Sequence, residues 1–271
     1  ARRQSGVTSN LSRSTEVATP MRHILAALLL ATPMLVMGIP NSSVAQDSSI
    51  AGADKKAIEK LVRDYILSHP EIVVEALTLF QKREEQDAKQ RQSQALVHLR
   101  EALERAEGDP VLGNPDGDVT LVEFFDYQCS YCKSMTSRIE KLLDTDKNVR
   151  LVLKEFPILG PASVTAARAS LAAERQGLYK PFHLALMAMR GRLTDAAIFQ
   201  AAREVGLNIE KLRQDMKHPA IGAMIERNKQ IANALEVRGT PAFVAGNELM
   251  PGAVSTDRLM AAIATARKNM N

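Results

Sequence analysis

The chain has 271 residues, of which 45% are hydrophobic and 24% are charged, and it carries a formal net charge of +4. Four arginines and one glutamate lie in residues 1–45, so the rest of the chain has a formal charge of +1. A balance this close to neutral gives no reason to expect nucleic acid or an anionic membrane as a partner. The two cysteines are too few for a disulfide-scaffolded domain, so the fold must depend on an ordinary apolar core.

Residues Met21 to Ala45 have the pattern of a secretory signal peptide. A short basic start at Arg22 precedes an apolar stretch from Ile24 to Met37, and small residues precede a cleavage point before Gln46. The apolar stretch is shorter than the ~20 residues that cross a bilayer, and an uncleaved anchor is the alternative. We therefore predict export to an oxidising compartment, with residues 1–20 as upstream non-native sequence outside the fold.

Residues 46–108 are predicted to form an N-terminal helical region, because their apolar residues have amphipathic spacing. The first helix carries Ile58, Leu61, Val62, Tyr65 and Ile66. The second helix starts at Pro70 and carries Ile72, Val73, Ala76, Leu77 and Phe80. Residues 81–94 follow without an apolar residue larger than alanine, so they have no face to bury.

Two arrangements of this helical region stay open. In the first, residues 54–80 form oligomers and the polar stretch bridges solvent, as a stalk that carries a catalytic domain. In the second, both helices fold back on that domain, and the polar stretch is a solvated linker. A single helix from Glu71 to Glu107 would be about 55 Å long at ~1.5 Å per residue.

A second region begins after the turn-forming residues 107–117 and starts with two predicted strands. Val119–Phe125 and Val149–Phe156 are rich in β-branched and aromatic residues, and a helix with apolar spacing over residues 133–144 separates them. Strand, helix and strand in this order predict a βαβ unit.

The two cysteines lie where the first strand meets its helix, in the sequence Cys129-Ser130-Tyr131-Cys132. Cys129 is predicted to lie at the helix N-terminus, where free N–H groups and the helix dipole favour a thiolate, the species that attacks disulfides. We therefore favour redox chemistry. A structural disulfide across so short a loop would contribute little stability. A zinc site would need about two further ligands, which no second cysteine pair or closely spaced histidine pair supplies.

The rest of the chain is predicted to be a helical segment, a hairpin and a last helix. Residues 161–237 are helical, with Thr194 and Asn208 as N-caps. The hairpin turns at Gly246-Asn247, and the last helix is capped by Ser255. The residues of that helix predicted to face inward are Leu259, Met260 and Ile263.

This order of elements resembles a known fold family. The βαβ unit with CxxC at its switch, the helical insertion at about 157–237, and the sequence from Arg238 to Phe243 resemble DsbA-like thiol-disulfide oxidoreductases. The most specific motif is Phe124-Phe125-Asp126-Tyr127-Gln128-Cys129-Ser130-Tyr131-Cys132. The resemblance implies an α/β thioredoxin fold with a large helical insertion over residues 109–271, preceded by an N-terminal helical stalk. The N-terminal region resembles the copper-sensitivity-suppressor and Com1-like subgroup, whose members include trimeric disulfide isomerases on such stalks.

The resemblance also assigns roles to individual residues. Cys129 would be the exposed nucleophile, and Cys132 the buried partner that resolves the mixed disulfide. Thr240 and Pro241 would form a cis-proline loop that presents the Thr240 backbone to an extended substrate, with an ordinary trans proline as the alternative. The dipeptide Ser130-Tyr131 replaces the Pro-His of strongly oxidising members, and a tyrosine before the second cysteine is reminiscent of isomerases.

Glu123 lies in the first strand and matches the buried acid that the family places beneath the active site. Burial raises the pKa of a carboxyl group, and such a group can relay a proton to or from the resolving thiol. The alternative is a surface carboxylate that pairs with a lysine such as Lys154.

The resemblance implies a periplasmic thiol-disulfide oxidoreductase without a cofactor, and we predict an oligomer, with the trimer as family precedent, that acts as a disulfide isomerase or reductase. Its partners would be unfolded or misoxidised exported proteins and an electron-donating membrane protein. One alternative is a monomeric dithiol oxidase recycled by a quinone-linked membrane oxidase. Another, of a different class, is a copper-binding or holdase chaperone, which the eleven methionines suggest.

Overall fold

The structure is a computed structural model that describes residues 52–270. The predicted signal peptide at residues 21–45 and the upstream residues 1–20 lie outside the described residues. Within residues 52–270, no helix is long and apolar enough to cross a membrane.

The N-terminal region is helical, as its amphipathic spacing predicts. Helix α1 runs over Gly52–Ser68, helix α2 over Glu71–His98 and helix α3 over Arg100–Glu104. The single helix considered for residues 71–107 is interrupted, because the backbone of Leu99 (φ −93°, ψ 5°) leaves the helical conformation between α2 and α3.

The large apolar side chains of α1 and of the first half of α2 are exposed in the single chain. Leu61, Leu67 and Phe80 are 69%, 67% and 61% exposed. The polar residues 81–94 continue α2, and most of their side chains lie in solvent. Mixed charges support this part of the helix, as in the ion pair of Lys89 with Glu85 at 2.6 Å.

A mixed sheet forms the centre of the rest of the chain. Within the described residues its strands are β1 Val111–Gly113, β2 Val119–Phe125, β3 Val149–Glu155, β4 Ala242–Ala245 and β5 Glu248–Pro251. Their order is β1-β3-β2-β4-β5, with β2 and β3 parallel and the other neighbours antiparallel. The sequence pattern does not predict β1, because this short strand lies in a turn-rich segment and forms only by pairing with β3.

Helices cover both faces of the sheet. They are α4 Ser130–Thr145, α5 Pro161–Glu174, α6 Tyr179–Ala188, α7 Asp195–Glu204, α8 Ile209–Asp215, α9 Pro219–Ala234 and α10 Thr256–Met270. Leu121 and Phe125 of β2 share a core cluster with α4 and α10, while Val122 and Phe124 share the second cluster with residues of α2, α3 and α9. Both faces of β2 are therefore buried. This is the thioredoxin fold with a helical insertion, here α5 to α9.

The helix N-caps follow the sequence prediction. The side chains of Thr194, Asn208 and Ser255 each accept a hydrogen bond from the backbone N–H three residues on, at 3.2, 2.9 and 3.2 Å. The inward orientation predicted for Met260 is wrong. Met260 is 42% exposed while its neighbour Leu259 is buried, because successive helical residues point about 100° apart.

Residues before position 109 help to complete the core of the sheet region. Leu96 and Leu103 are each 1% exposed and belong to the second core cluster. Lys154 of β3 is fully buried and forms an ion pair with Asp109, which also accepts a hydrogen bond from Arg227 at 2.7 Å. The end of α2, α3 and the segment that follows are therefore fixed to the sheet by apolar packing and by a buried charge cluster.

Candidate active site

Helix α4 begins at the CxxC sequence. Cys129 is its N-cap residue, with extended backbone angles (φ −73°, ψ 114°), and its Sγ accepts a hydrogen bond from the N–H of Cys132 at 3.3 Å. An acceptor at the N-cap satisfies a free N–H of the helix, and the helix dipole favours a negative charge there. The predicted position of Cys129 at a helix N-terminus is confirmed.

Asp126 fixes the loop between β2 and α4. It is 1% exposed, and one carboxylate oxygen accepts hydrogen bonds from the Gln128 N–H and the Ser163 hydroxyl, both at 2.7 Å. The other oxygen accepts from the N–H groups of Ile158 and Leu159 at 2.8 and 2.9 Å. These bonds join the CxxC loop to the segment after β3. The sequence analysis includes Asp126 in the most specific motif but assigns it no role, although an aspartate directly after a strand and before a turn is an Asx-turn signal.

The Thr240–Pro241 peptide bond is cis, so the trans alternative does not apply. In its protonated form, the Cys129 thiol donates a hydrogen bond to the Thr240 carbonyl oxygen at 3.2 Å. Pro241 is buried, and its carbonyl oxygen accepts a hydrogen bond from the Gly252 N–H at 2.8 Å. The fold thus brings the cysteine into contact with a segment that lies 111 residues away in sequence.

The two cysteines are free thiols, and both are enclosed. Cys129 is 5% exposed and Cys132 is 1% exposed. The expectation of an exposed Cys129 is therefore wrong for this conformation, because the Thr240 carbonyl lies against its sulfur. The two residues between the cysteines are open to solvent: Ser130 is exposed and Tyr131 is 66% exposed.

The surroundings of the two thiols separate their pKa values. The pKa of Cys129 is lowered to about 6, first by the hydrogen bond from the Cys132 side chain and then by the Thr240 side chain and the N–H groups of Cys132 and Tyr131, while burial acts in the opposite direction. The pKa of Cys132 is raised, first by burial, then by its hydrogen bond with Cys129 and by the charge of Glu123. At neutral pH, Cys129 is therefore ionised while Cys132 keeps its proton.

Glu123 of β2 is 2% exposed. Its pKa is raised to about 8, first by burial and then by the charge of Cys129. The alternative of a surface pair with Lys154 is wrong, because Lys154 is itself buried and binds Asp109. Among the described residues, no ion-pair partner of Glu123 is found, and the acid lines a pocket of about 150 Å³ together with His183.

A second buried acid lies at the end of β3. Glu155 Oε1 accepts hydrogen bonds from the hydroxyls of Tyr127 and Tyr179 at 3.1 and 3.3 Å, and the Tyr127 hydroxyl also contacts Ser170 (2.6 Å) and His183 Nδ1 (3.0 Å). Burial raises the pKa of Glu155 and lowers the pKa of His183 to about 3, so both groups are neutral. Sequence reasoning missed this network, because its members lie on separate elements and have no common spacing.

The arrangement supports thiol-disulfide exchange. The Cys129 thiolate can attack an external disulfide, and Cys132, within hydrogen-bonding reach, can resolve the mixed disulfide once its proton has left. Glu123 is a buried group that can take and return that proton. Throughout residues 52–270, the side chains of His, Cys, Asp and Glu form no group of three or more that could hold a metal ion.

Two protein-family models match the chain. A DSBA-like thioredoxin domain matches residues 120–264, which is more than half of the chain and includes both cysteines and the cis-proline. A copper resistance protein ScsC N-terminal domain matches residues 54–87, which covers most of α1 and the first part of α2.

Solved structures of similar proteins agree with these matches. A thioredoxin-like oxidoreductase from Silicibacter pomeroyi DSS-3 is 48% identical, with 62% of this chain and 98% of that chain covered and a TM-score of 0.62. The catalytic domain of Proteus mirabilis ScsC is 28% identical over 65% of this chain and 98% of that chain, with a TM-score of 0.60. A periplasmic thioredoxin-like protein from Salmonella enterica serovar Typhimurium is 33% identical over 63% and 96%, with a TM-score of 0.55.

Curated proteins with partial similarity include a Na(+)/H(+) antiporter, NhaA 1, of Salinispora arenicola. It is 29% identical over 160 residues, which is 58% of this chain. The chain spans only 24% of the length of that antiporter, so the similarity concerns one part of the larger protein.

Proposed function

The chain belongs to the DsbA-like thioredoxin family, and on that premise we propose that it is a periplasmic thiol-disulfide oxidoreductase that acts mainly as an oligomeric disulfide isomerase or reductase. The observation that carries the thiol-disulfide oxidoreductase part of this proposal is the pair of unlike sulfurs: the pKa of Cys129 is lowered to about 6, while that of Cys132 is raised. The predicted signal peptide and the similarity to a periplasmic thioredoxin-like protein support the location.

Exchange begins when the Cys129 thiolate attacks one sulfur of a client disulfide. The client S–S bond breaks as the mixed disulfide forms, and the second client sulfur leaves as a thiolate. Cys132 then loses its proton and attacks the Cys129 sulfur, which releases the reduced client and leaves the enzyme pair oxidised. If a client thiolate attacks the mixed disulfide instead, the client bonds are rearranged and Cys129 returns as a thiolate without net electron transfer.

Glu123 fits the role of proton acceptor for Cys132 in this sequence. The charge of Cys129 is one of the two causes that hold the pKa of Glu123 near 8. In the mixed disulfide that charge is absent, so the pKa of Glu123 falls and a larger fraction of Glu123 is in the carboxylate form. Only the carboxylate can accept the proton of Cys132, so more of the acceptor is available at this step.

The exposed apolar residues of 54–80 support the oligomer. A surface helix that presents a contiguous apolar face to water is rare in a protein that works as a monomer. Tyr65 of α1 and Ile72 of α2 are both at least one third exposed in the single chain, at 53% and 36%. We propose that further copies of the same chain cover this face, which holds several active sites in one assembly. We also propose that the chain exchanges electrons with a membrane redox protein and that its clients are misoxidised exported proteins.

The dithiol oxidase is the second candidate, and one observation favours it. A thiolate with a pKa near 6 stabilises the reduced pair, and a stabilised reduced form makes the disulfide a stronger oxidant. The isomerase and oxidase proposals therefore share the same cysteines and differ in the assembly and in the membrane partner.

A paired ribonuclease assay separates the candidates. An isomerase reactivates scrambled ribonuclease faster than it oxidises the reduced form, and an oxidase shows the reverse order. Cys129→Ser is expected to lower both rates at least about a thousandfold, because the nucleophile is lost. If Cys129→Ser keeps wild-type rates, thiol-disulfide exchange at this site is not the function. Tight two-cysteine binding of Cu(I) with neither ribonuclease activity would support the copper-binding alternative.

A charge on the apolar face tests the oligomer. Leu77 is 55% exposed on α2, and Leu77→Glu is expected to shift the mass measured by light scattering to that of one chain and to lower isomerase turnover about tenfold. Gln81→Glu adds the same charge one turn later on the polar stretch and is the matched control. Monomeric wild-type protein with full isomerase activity would contradict the oligomeric part of the proposal.

A further inference from the structure

We infer that Gln92, near the end of α2, positions the Thr240–Pro241 loop and thereby helps a client to dock beside Cys129. The inference deepens the proposed function and rests on it. Gln92 Nε2 donates a hydrogen bond to the carbonyl oxygen of Leu235 at 3.1 Å, although the two residues are 143 positions apart. A side chain of the N-terminal helical region thus contacts the segment that leads to the active-site loop.

The carbonyl oxygen of Leu235 needs a hydrogen-bond donor from outside its own segment. Helix α9 ends in a Schellman turn, in which Glu236 has a φ of 57° and the Val237 N–H bonds to the Ala232 carbonyl at 2.8 Å. The hydrogen bonds of that turn leave the Leu235 carbonyl unused. Gln92 satisfies it, so the side chain fixes the place where the chain leaves the helix.

The loop itself is held at its ends and is open in its middle. Val237 anchors it to α9, and the Pro241 carbonyl accepts a hydrogen bond from the Gly252 N–H at 2.8 Å. Residues 238 and 239 between these anchors are exposed. The position of Thr240 therefore depends on how firmly the two ends are held.

On the side that faces α2, the exposed middle of the loop borders open space and not packed side chains. A groove of about 380 Å³ lies there, lined by Gln92 and by residues 236–242. Open space offers no contacts that resist a displacement, so a hydrogen bond from a rigid helix has a larger effect on the position of the loop. The end of α2 is rigid, because Leu96, one turn after Gln92, is 1% exposed and belongs to the same core cluster as Val237.

The expected consequence concerns client binding first. Gln92 is not among the groups that lower the pKa of Cys129, which are Cys132, Thr240 and Tyr131, so it can act on the thiol only through Thr240. Client docking requires the Thr240 backbone to lie in the correct place beside the sulfur. Loss of the Gln92 donor should therefore raise KM, and a displaced Thr240 should shift the midpoint of Cys129 alkylation upward rather than downward.

Three variants of the full chain test this. Gln92→Met keeps the length and helix propensity but removes the donor, Gln94→Met makes the same change at an exposed position of α2, and Gln92→Lys supplies a new donor. For reduction of a peptide disulfide, Gln92→Met is expected to raise KM about two- to tenfold, the effect of one net hydrogen bond, with kcat unchanged. Gln94→Met should match wild type, and Gln92→Lys should restore KM.

The inference is overturned if Gln92→Met has the wild-type KM, including the case in which only its melting temperature falls. It is also overturned if Gln94→Met raises KM equally, or if the alkylation midpoint of Cys129 shifts downward in Gln92→Met. Wild-type protein that does not reduce the peptide at all would defeat the proposed function, and the inference with it. Active wild-type protein with an unchanged Gln92→Met variant would defeat the inference alone.

Discussion

Residues 54–80 and residues 92–269 differ in the exposure of their apolar side chains: in the single chain the first segment leaves them in solvent, and the second buries most of them. In the first segment Leu61 and Leu67 are more than two thirds exposed, at 69% and 67%, while in the second Leu96 and Leu121 are at most 1% exposed. Both segments contain helices with apolar residues at the spacing of a buried face. The comparison teaches that the same spacing occurs on faces that the chain buries and on faces that it leaves exposed, so spacing alone does not decide which faces pack within the chain.

The largest expected effect is on the free energy of unfolding, and it tests whether apolar side chains contribute differently in the two segments. Leu96→Ala removes a side chain that is 1% exposed, and we expect a loss of about 2–5 kcal/mol. Leu77→Ala removes the same atoms from a position that is 55% exposed, and we expect a change below about 0.5 kcal/mol at concentrations where the chain is monomeric. Urea unfolding followed by circular dichroism measures both. Equal losses at low concentration would mean that Leu77 packs within its own chain.

The next effect concerns Glu123, an acid that is buried without an ion-pair partner among the described residues. Its pKa is 4.5 ordinarily and about 8 in the fold, so between these values the folded chain holds a proton that the unfolded chain has released. Stability therefore falls as pH rises from about 4.5 to 8. Glutamine does not titrate, so Glu123→Gln should gain stability over wild type across that window, by up to about 5 kcal/mol.

Urea unfolding of the reduced protein at pH 5 and pH 8 checks this prediction. Glu140→Gln, at an exposed position of α4, is the control and should follow wild type at both values. Parallel stability curves for wild type and Glu123→Gln would show that Glu123 does not hold a raised pKa in the fold.

The smallest effect is expected at Tyr131, which is 66% exposed although it lies next to the buried Cys132. The backbone N–H of Tyr131 helps to lower the pKa of Cys129, and alanine keeps that group. Tyr131→Ala should therefore change the alkylation rate of Cys129 by less than about twofold. A shift of the alkylation midpoint by one pH unit or more would assign the stabilisation to the tyrosine side chain instead.

The elements predicted from the sequence are those with a local signal. Strand β2, helix α4 with Cys129 at its start, and the N-caps of the insertion all follow from residue patterns within a few positions. Strand β1 has no such pattern, because it depends on the antiparallel pairing with β3. The βαβ unit and the place of the cysteine pair therefore follow from local patterns, whereas the complete fold is expected only from the resemblance to the family.

The parts of the site that escaped prediction depend on contacts between distant segments. Asp126 binds the loop after β3, and Gln92 binds a carbonyl 143 residues away. The enclosure of Cys129 is another case, since the Thr240 carbonyl that covers it approaches only when β4 pairs with β2. Tertiary structure decides these contacts, so no spacing within one element could have revealed them.

The central claim is that Cys129 is ionised at the helix N-terminus while Cys132 keeps its proton. Its most direct test is the rate of iodoacetamide labelling of the reduced full-length chain as a function of pH, with the labelled cysteine located by mass spectrometry. We expect labelling of Cys129 with a midpoint near pH 6 and no comparable labelling of Cys132. Labelling of both cysteines with a common midpoint near 9, the ordinary value for a thiol, would contradict the claim.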